Sequence, residues 1–150
     1  MIRFRPARRE EVPQIVALLR DDMFGQGRES GDMDRYVAAF DSMRQEGGNE
    51  VIVGLDPQDR VVATYQLTLI RGLSLAAARR AQVESVRIAS QLRGQGLGHR
   101  MFADVEARAR AAGCALVQLT MNSTREDARR FYEDLGFAAS HTGFKLYLDT

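Results

Sequence analysis

The segment that most constrains this chain is Val83–Arg100, VESVRIASQLRGQGLGHR, which predicts a strand, a glycine-rich turn and the start of a helix in succession. Glu84, Val86 and Ile88 recur at period two, so we expect them on one face of the strand. His99–Ala112 then follows the helical period. The first amides of a helix have no partner within it and lie at its positive end, and glycines let the backbone approach a ligand closely. The turn is therefore predicted to hold an anion.

The spacing of the glycines decides which phosphate-binding loops fit. A Walker A loop needs GxxxxGK[ST], and no Lys-Ser or Lys-Thr follows these glycines. A dinucleotide fingerprint needs GxGxxG, whereas the spacing here is GxGxG followed by His99. The spacing R-x-x-G-x-G, from Arg93 to Gly98, resembles the coenzyme A pyrophosphate loop of the GNAT N-acetyltransferase superfamily. The alternative is a tight turn that only joins a strand to a helix.

A second motif supports the resemblance. Residues Ala128–Phe137 read ARRFYEDLGF, which is similar to the A-x-x-x-Y-x-x-x-G-F signature of the same superfamily. The resemblance covers nearly the whole chain. It implies an α/β fold with a mixed, mostly antiparallel twisted sheet flanked by helices, in the order βααβββαβαββ. A length of 150 residues suits one domain with a sizeable core, so a single GNAT domain is expected over residues 1–150.

Periodicity and turn residues place the other elements. Strands are predicted at Met1–Arg5, Glu50–Leu55, Arg60–Ile70, Ala115–Met121, from Gly136–Phe137 onward, and at Phe144–Leu148. Helices are predicted at Glu10–Arg20, from an Asp32 or Asp34 cap to Gly47, and at Arg125–Leu135. Asp21–Gly31 reads as a loop, and Asp56–Asp59 as the turn of an antiparallel hairpin. Arg71–Ala81 is either a long loop or a strand extension.

Composition argues against several kinds of partner. The net charge of +1 gives no general electrostatic reason to expect nucleic acid or membrane binding. No apolar run approaches the ~20 residues of a spanning helix, and the N-terminus lacks a signal-peptide core. Cys114 is the single cysteine, so an intrachain disulfide is impossible, which suits the cytoplasm. An inert buried thiol is favoured over a nucleophile there, and no metal site is expected.

The resemblance implies how coenzyme A would bind. The pantetheine arm would pair with the backbone of the central strand at Val86, Arg87 and Ile88. Met121 and Asn122 are expected to border the gap that admits it. Amides and side chains implied for the pyrophosphate are those of Arg93, Gly94, Gln95, Gly96, Leu97, Gly98 and His99. Many family members have Asn where this chain has Arg125, which either contacts the phosphate region or caps the last helix.

Two residues are implied as catalytic. Acetyl transfer to an amine needs a proton acceptor for the ammonium, stabilisation of an oxyanion and a proton donor for the thiolate. Tyr132 matches the family's general acid, and a phenol of pKa about 10 is protonated at neutral pH; the alternative is a core aromatic. Glu84 is the candidate base, directly or through water. Its alternative is an ion pair with Arg79, Arg80 or Arg87.

The leading hypothesis is therefore an acetyl-CoA-dependent N-acetyltransferase acting on a small-molecule or amino-acid-like primary amine. Met23–Gly31, the second helix and Leu69–Arg80 are expected to set acceptor specificity. Arg28, Arg71, Arg79 and Arg80 either favour an acceptor with a carboxylate or phosphate, or are solvated surface. A coenzyme A-binding sensor without turnover, and an acyltransferase with another acyl donor or acceptor, are the alternatives. A homodimer is also expected.

Overall fold

The computed structural model describes residues 1–21, 27, 29 and 31–149. Within them the strands are β1 Arg3–Pro6, β2 Asn49–Leu55, β3 Val61–Ile70, β4 Arg80–Ile88 and β5 Leu116–Leu119. The helices are α1 Val12–Arg20, α2 Met33–Glu46, α3 Leu97–Ala111 and α4 Glu126–Asp134. The strands form one sheet in the order β1-β2-β3-β4-β5, and the first three pairs are antiparallel. The predicted fold class, a mostly antiparallel sheet flanked by helices, is confirmed.

The chain forms two compact units, Met1–Gln118 and Leu119–Thr150. In the first unit, β3 carries apolar side chains to both faces of the sheet. Val62 packs with Ile15 and Leu18 of α1, whereas the Tyr65 hydroxyl donates to Asp104 of α3 at 2.7 Å. Because residues three apart in a strand point to opposite faces, α1 and α3 cover opposite faces of the sheet.

Hydrogen-bonded acidic side chains lie at the starts of the first two helices. Glu11 precedes α1 and is only 7% exposed; its carboxylate accepts from the Arg8 amide at 2.8 Å and from the Arg5 guanidinium at 2.6 Å. The hydrogen bond from Arg5 holds the pKa of Glu11 below its usual range. Asp32 caps α2 by accepting from the Arg35 amide at 3.0 Å, which confirms one of the two predicted caps.

The central strand departs from the predicted alternation because it contains a bulge. Gln66 of β3 pairs with Glu84, but Thr64 pairs with Arg87. One residue of β3 therefore faces two of β4, and Ser85 takes a φ of 55°. An extra residue of this kind is left out of the hydrogen-bond ladder and locally bends the strand.

The bulge overturns one prediction. Ile88 pairs with Ala63, whereas Glu84 pairs with Gln66. Because Ala63 and Gln66 are three residues apart in β3, they point to opposite faces of the sheet, and so do Ile88 and Glu84. Glu84, Val86 and Ile88 therefore do not share a face. Strict alternation fails here because the inserted residue shifts the side-chain phase of everything after it.

Residues 71–81 were predicted to be either a long loop or a strand extension, and the structure contains some of each. Arg71–Arg79 is a connection that contains a short turn at Ser74–Ala77, in which Leu75 and Ala76 have positive φ. β4 then begins at Arg80. The predicted loop at Asp21–Gly31, including Arg28, lies mostly outside the described residues.

The second unit contains α4 but not the two closing strands. Leu135–Asp149 has no strand in the part of the chain that the structure describes, so the strands predicted from Gly136–Phe137 and at Phe144–Leu148 are wrong. Phe144 is 93% exposed and Leu146 86% exposed. Alternating apolar residues form a strand only where a neighbouring strand supplies ladder hydrogen bonds, and none of the five described strands pairs with this segment.

Candidate functional site

The glycine-rich turn has the backbone conformation that its sequence predicts. Gly94 and Gly96 have φ of 80° and 78°, a region that side chains with a Cβ rarely occupy. α3 begins at Leu97 with Gly96 as its N-cap, two residues earlier than the predicted His99. A Cβ placed on either glycine would have no atom within 4 Å. The turn therefore presents open backbone rather than packed side chains.

The amides of this turn are the main feature of the site. A short 3-10 turn uses the amides of Leu92 and Arg93, which donate to Ala89 and Ser90 at 2.9 and 3.4 Å. For the next five amides, from Gly94 to Gly98, the described residues supply no hydrogen-bond acceptor. Consecutive unpartnered amides at a helix N-terminus form a concave anion site.

Two arginines flank the turn, and both bind backbone carbonyls. Arg93 donates from Nε to Ile88 O at 3.3 Å and from Nη2 to Asp21 O at 3.1 Å. It therefore ties the turn to the ends of β4 and α1. Arg100 donates to Ile2 O at 3.1 Å. A guanidinium has five N–H donors, so these contacts leave Arg93 capable of a further bond to an anion.

Two cavities adjoin this turn. One of about 210 Å³ is lined by Ile2, Gln95, Leu97 and Arg100, among others. The other, of about 1000 Å³, lies between α1, the β2–β3 hairpin and Leu92. The smaller cavity, which Gln95 and Leu97 line, provides space for a ligand group beside the predicted anion site.

The predicted pantetheine contacts lie at and after the bulge of β4. Val86 O accepts from the Arg87 side chain at 3.0 Å, so that carbonyl already has one protein partner. Glu84 is exposed, directly before the bulge. No ion pair of Glu84 with Arg79 or Arg80 occurs among the described residues, in which Arg79 contacts Ala112 O and Arg80 contacts Gln118.

In the second unit, Tyr132 belongs to a small aromatic cluster. Its ring contacts Phe131 edge-on with centroids 5.3 Å apart, and Phe137 with centroids 5.8 Å apart. The Phe137 amide also donates to Tyr132 O at 3.0 Å. Both adjacent aromatics thus take part in one cluster, and Tyr132 is half-buried.

Asn122 and Arg125 shape the turn before α4. Asn122 Oδ1 accepts from the Thr124 amide at 3.0 Å and from the Thr124 hydroxyl at 2.6 Å. Arg125 is the N-cap of α4 but makes no side-chain capping bond. Of the two roles open to Arg125 in the sequence, side-chain capping is therefore not observed.

Sequence reasoning missed a set of polar side chains on the sheet. Gln118 of β5 bonds to both Arg80 and Gln82 of β4, at 3.1 and 2.7 Å. The available signal was the polar alternation of Arg80, Gln82 and Glu84, but it does not identify Gln118 as the partner.

The described residues contain neither a candidate membrane-spanning helix nor a candidate metal site. No helix in them has the length and apolar character needed to span a bilayer. Nor do the same residues contain a group of three or more His, Cys, Asp or Glu side chains placed to hold a metal ion.

Comparison with known proteins assigns the chain to a family. A curated aminoalkylphosphonate N-acetyltransferase of Salmonella typhimurium is 36% identical over 63 residues, 42% of this chain and 41% of that protein. The match thus spans about two fifths of that relative. A transcriptional regulator from Bacillus halodurans C-125 has a TM-score of 0.92 and 37% identity, covering 99% of this chain and 100% of the other.

A Trypanosoma brucei acetyltransferase shares the fold, with a TM-score of 0.81 and 23% identity over 99% of this chain and 100% of the other. The model of the acetyltransferase (GNAT) family matches residues 12–137, which include the glycine-rich turn and the Tyr132 motif. This chain therefore belongs to the GNAT acetyltransferase family.

Proposed function

We propose that residues 1–150 form one N-acetyltransferase domain that transfers an acetyl group from acetyl-CoA to a primary amine of a small molecule. The transfer is direct, within a complex of enzyme and both substrates. The observation that carries the proposal is the row of five amides, Gly94–Gly98, without protein acceptors in the described residues. A diphosphate presents the oxygens that such a row would bind.

Most of the coenzyme contacts that we propose lie on β4 and the glycine-rich turn that follows it. We assign the pyrophosphate to the amides from Gly94 to His99, with Arg93 as a cationic neighbour. The pantetheine arm is assigned to the backbone of β4 at Val86, Arg87 and Ile88. Asn122 and Arg125 are the contacts proposed from the second unit. The open space over Gly94 and Gly96 supports this assignment because a phosphate must approach the backbone closely.

The chemistry follows from the groups on β4 and α4. Glu84 accepts a proton from the acceptor ammonium, directly or through water, and frees the nitrogen lone pair. The nitrogen attacks the thioester carbonyl, and a backbone amide near Val86 stabilises the oxyanion. The C–S bond then breaks as Tyr132 donates its proton to the departing thiolate. The nitrogen loses its second proton, which restores the Tyr132 phenol, and the neutral amide product is formed. Because both substrates are bound side by side, their reaction becomes effectively unimolecular, which lowers the activation barrier by several kcal/mol.

An amine acceptor agrees with the curated Salmonella typhimurium relative, whose name describes acetylation of an aminoalkylphosphonate. That relative supports transfer to nitrogen, and its partial match leaves the acceptor of this chain to be measured. Small amines of varied charge are therefore the appropriate panel.

Calorimetry with coenzyme A, followed by thiol release from acetyl-CoA in the presence of amines, tests the proposal. Gly96→Ala is the informative variant because its Cβ would occupy the open side of the turn. Gly113→Ala is the matched control: Gly113 also has positive φ, 75°, and open space around it. Both variants should lose about 1 kcal/mol of stability, but only Gly96→Ala should weaken coenzyme binding, by tenfold or more. Absence of binding to the wild type at millimolar coenzyme would overturn the proposal.

A coenzyme A-binding regulatory domain is the second candidate, because the Bacillus halodurans neighbour is described as a transcriptional regulator. If the protein were such a regulatory domain, coenzyme A would bind but no amine would cause thiol release from acetyl-CoA. The presence of Glu84 and Tyr132 favours turnover. A homodimer stays a prediction, which sedimentation of the purified chain would test.

A further inference from the structure

One end of the sheet carries polar side chains where apolar ones are usual. In the β3–β4 pair, Gln66 faces Glu84 and Thr68 faces Gln82, and directly opposed residues point to the same face. Val62 lies on this face too, where it packs against α1. We name the following set the polar strip: Gln66, Thr68, Arg80, Gln82, Glu84 and Gln118. Except for the exposed Glu84, its members are half-buried.

The polar strip is held in place by its own hydrogen bonds. Arg80 Nη1 donates to Gln118 Oε1 at 3.1 Å, and Gln118 Nε2 donates to Gln82 Oε1 at 2.7 Å. On the β3 side, Asn49 Oδ1 accepts from Gln66 at 2.9 Å and from Thr68 at 3.0 Å. These contacts orient the amides before any ligand arrives, which reduces the entropy lost on binding.

Arg80 is the cation of this polar strip, and it lacks a counterion in the described residues. Two other half-buried arginines of the same unit have a carboxylate partner: Arg5 pairs with Glu11 at 2.6 Å and Arg108 with Asp104 at 2.8 Å. One bond to Gln118 leaves most of the five guanidinium donors of Arg80 available. A half-buried guanidinium with donors to spare suits a carboxylate, phosphate or phosphonate.

The structure separates Arg80 from the other arginines that the sequence grouped with it. Arg79 donates to Ala112 O at 2.8 Å, at the end of α3, so it serves that helix terminus. The Arg71 side chain is exposed to solvent, and Arg28 lies outside the described residues. Of the three arginines that the structure describes, only Arg80 joins the polar strip.

We propose that the polar strip forms the floor of the acceptor site and that Arg80 binds an anionic group of the acceptor, so that the amine end is directed toward Glu84. This inference rests on the proposed N-acetyltransferase function. The Cα atoms of Arg80 and Glu84 are four strand residues, or about 13 Å, apart. With both side chains extended along β4 toward each other, the remaining gap would be one that a compact amino acid or aminoalkyl acid bridges.

The arrangement along β4 explains how two substrates meet. The polar strip occupies the first half of the strand, the bulge at Ser85 follows Glu84, and the glycine-rich turn lies beyond the strand's end. An anionic acceptor is thus held at one end of β4 and the coenzyme diphosphate at the other. The two anions stay apart, and the reactive ends converge at the bulge.

The test compares three amines of similar size: propylamine, β-alanine and aminoethylphosphonate. With the wild type, the KM of both acids should be at least about tenfold below that of propylamine. Arg80→Gln removes the charge and keeps an amide for Gln118; it should raise the KM of the acids about tenfold and leave the KM of propylamine and acetyl-CoA unchanged. Arg80→Lys should recover part of the loss. Arg71→Gln, a change at an exposed arginine, is the control.

The outcomes separate this inference from the proposed function. Turnover of propylamine as good as that of the two acids in the wild type would overturn the inference and leave the N-acetyltransferase function intact, whether or not Arg80→Gln folds. Absence of coenzyme binding would overturn the function itself. If coenzyme binds and no amine reacts, calorimetry of aminoethylphosphonate on the coenzyme-saturated protein tests the anion site directly. Binding that Arg80→Gln abolishes would support the anion site. No binding to the wild type would refute it.

Discussion

The contact between Tyr65 and Asp104 makes a quantitative prediction about stability. Tyr65 is 1% exposed, and its hydroxyl donates to Asp104 at 2.7 Å. Asp104 also accepts from Arg108 at 2.8 Å, and Arg108 donates to Phe4 O at 3.2 Å. This network connects β3, α3 and β1. Tyr65→Phe removes one hydrogen bond to a charged acceptor, which is worth about 1.5–3 kcal/mol.

We expect the lower end of that range, about 1.5 kcal/mol, because Asp104 keeps Arg108 and its side chain is 21% exposed to water. Asp104→Ala should cost more, about 3 kcal/mol, since it leaves a buried hydroxyl and a guanidinium without their acceptor. The double variant should lose less than the sum of the two. Urea unfolding followed by circular dichroism measures all three. Tyr147→Phe is the control, because Tyr147 is 83% exposed.

The same hydroxyl predicts a loss of stability in alkali. Burial, and then the hydrogen bond to the Asp104 carboxylate, raise the pKa of Tyr65 far above its usual value. A raised folded-state pKa stabilises the protein below the unfolded pKa of about 10, and that stability is lost as the pH rises above it. Each pH unit above about 10 should cost about 1.4 kcal/mol. Tyr65→Phe should lack this slope; an equal slope in both proteins, or a loss at neutral pH under about 0.5 kcal/mol, would refute the reasoning.

Three further predictions concern single side chains. The hydrogen bond from Arg5 lowers the pKa of Glu11 in the folded protein. The stability that this ion pair provides is therefore present above the unfolded pKa of about 4 and is lost as the pH falls through the folded-state pKa. Glu11→Gln should flatten the acid limb of a stability–pH profile. Asp32→Ala should cost about 1 kcal/mol by removing the cap of α2, and Asp32→Ser should retain most of it in thermal unfolding. Tyr132→Phe should lower kcat about 100-fold with coenzyme affinity unchanged; an unchanged kcat in the thiol-release assay would exclude Tyr132 as proton donor.

Features that depend on a few neighbouring residues could be predicted from the sequence. Asp32 caps α2, and Gly113 ends α3 with a φ of 75° while the Cys114 amide donates to Ala109 O at 3.0 Å. The glycine-rich turn belongs to the same group. Each is decided by the backbone conformations open to a residue type and by hydrogen bonds within one turn of chain.

Features that depend on strand pairing were decided by the tertiary structure. The bulge at Ser85 separates Ile88 from the face of Glu84, and nothing in the local alternation marks it. Gln118 reaches Arg80 across two strands that are distant in sequence. Phe144–Leu148 has a strand pattern but no strand in the described structure. Amino-acid type alone determined the cap of α2, the end of α3 and the glycine-rich turn. Strand register and side-chain face depend on which neighbouring strand supplies the ladder hydrogen bonds, and only the folded chain brings that strand into place.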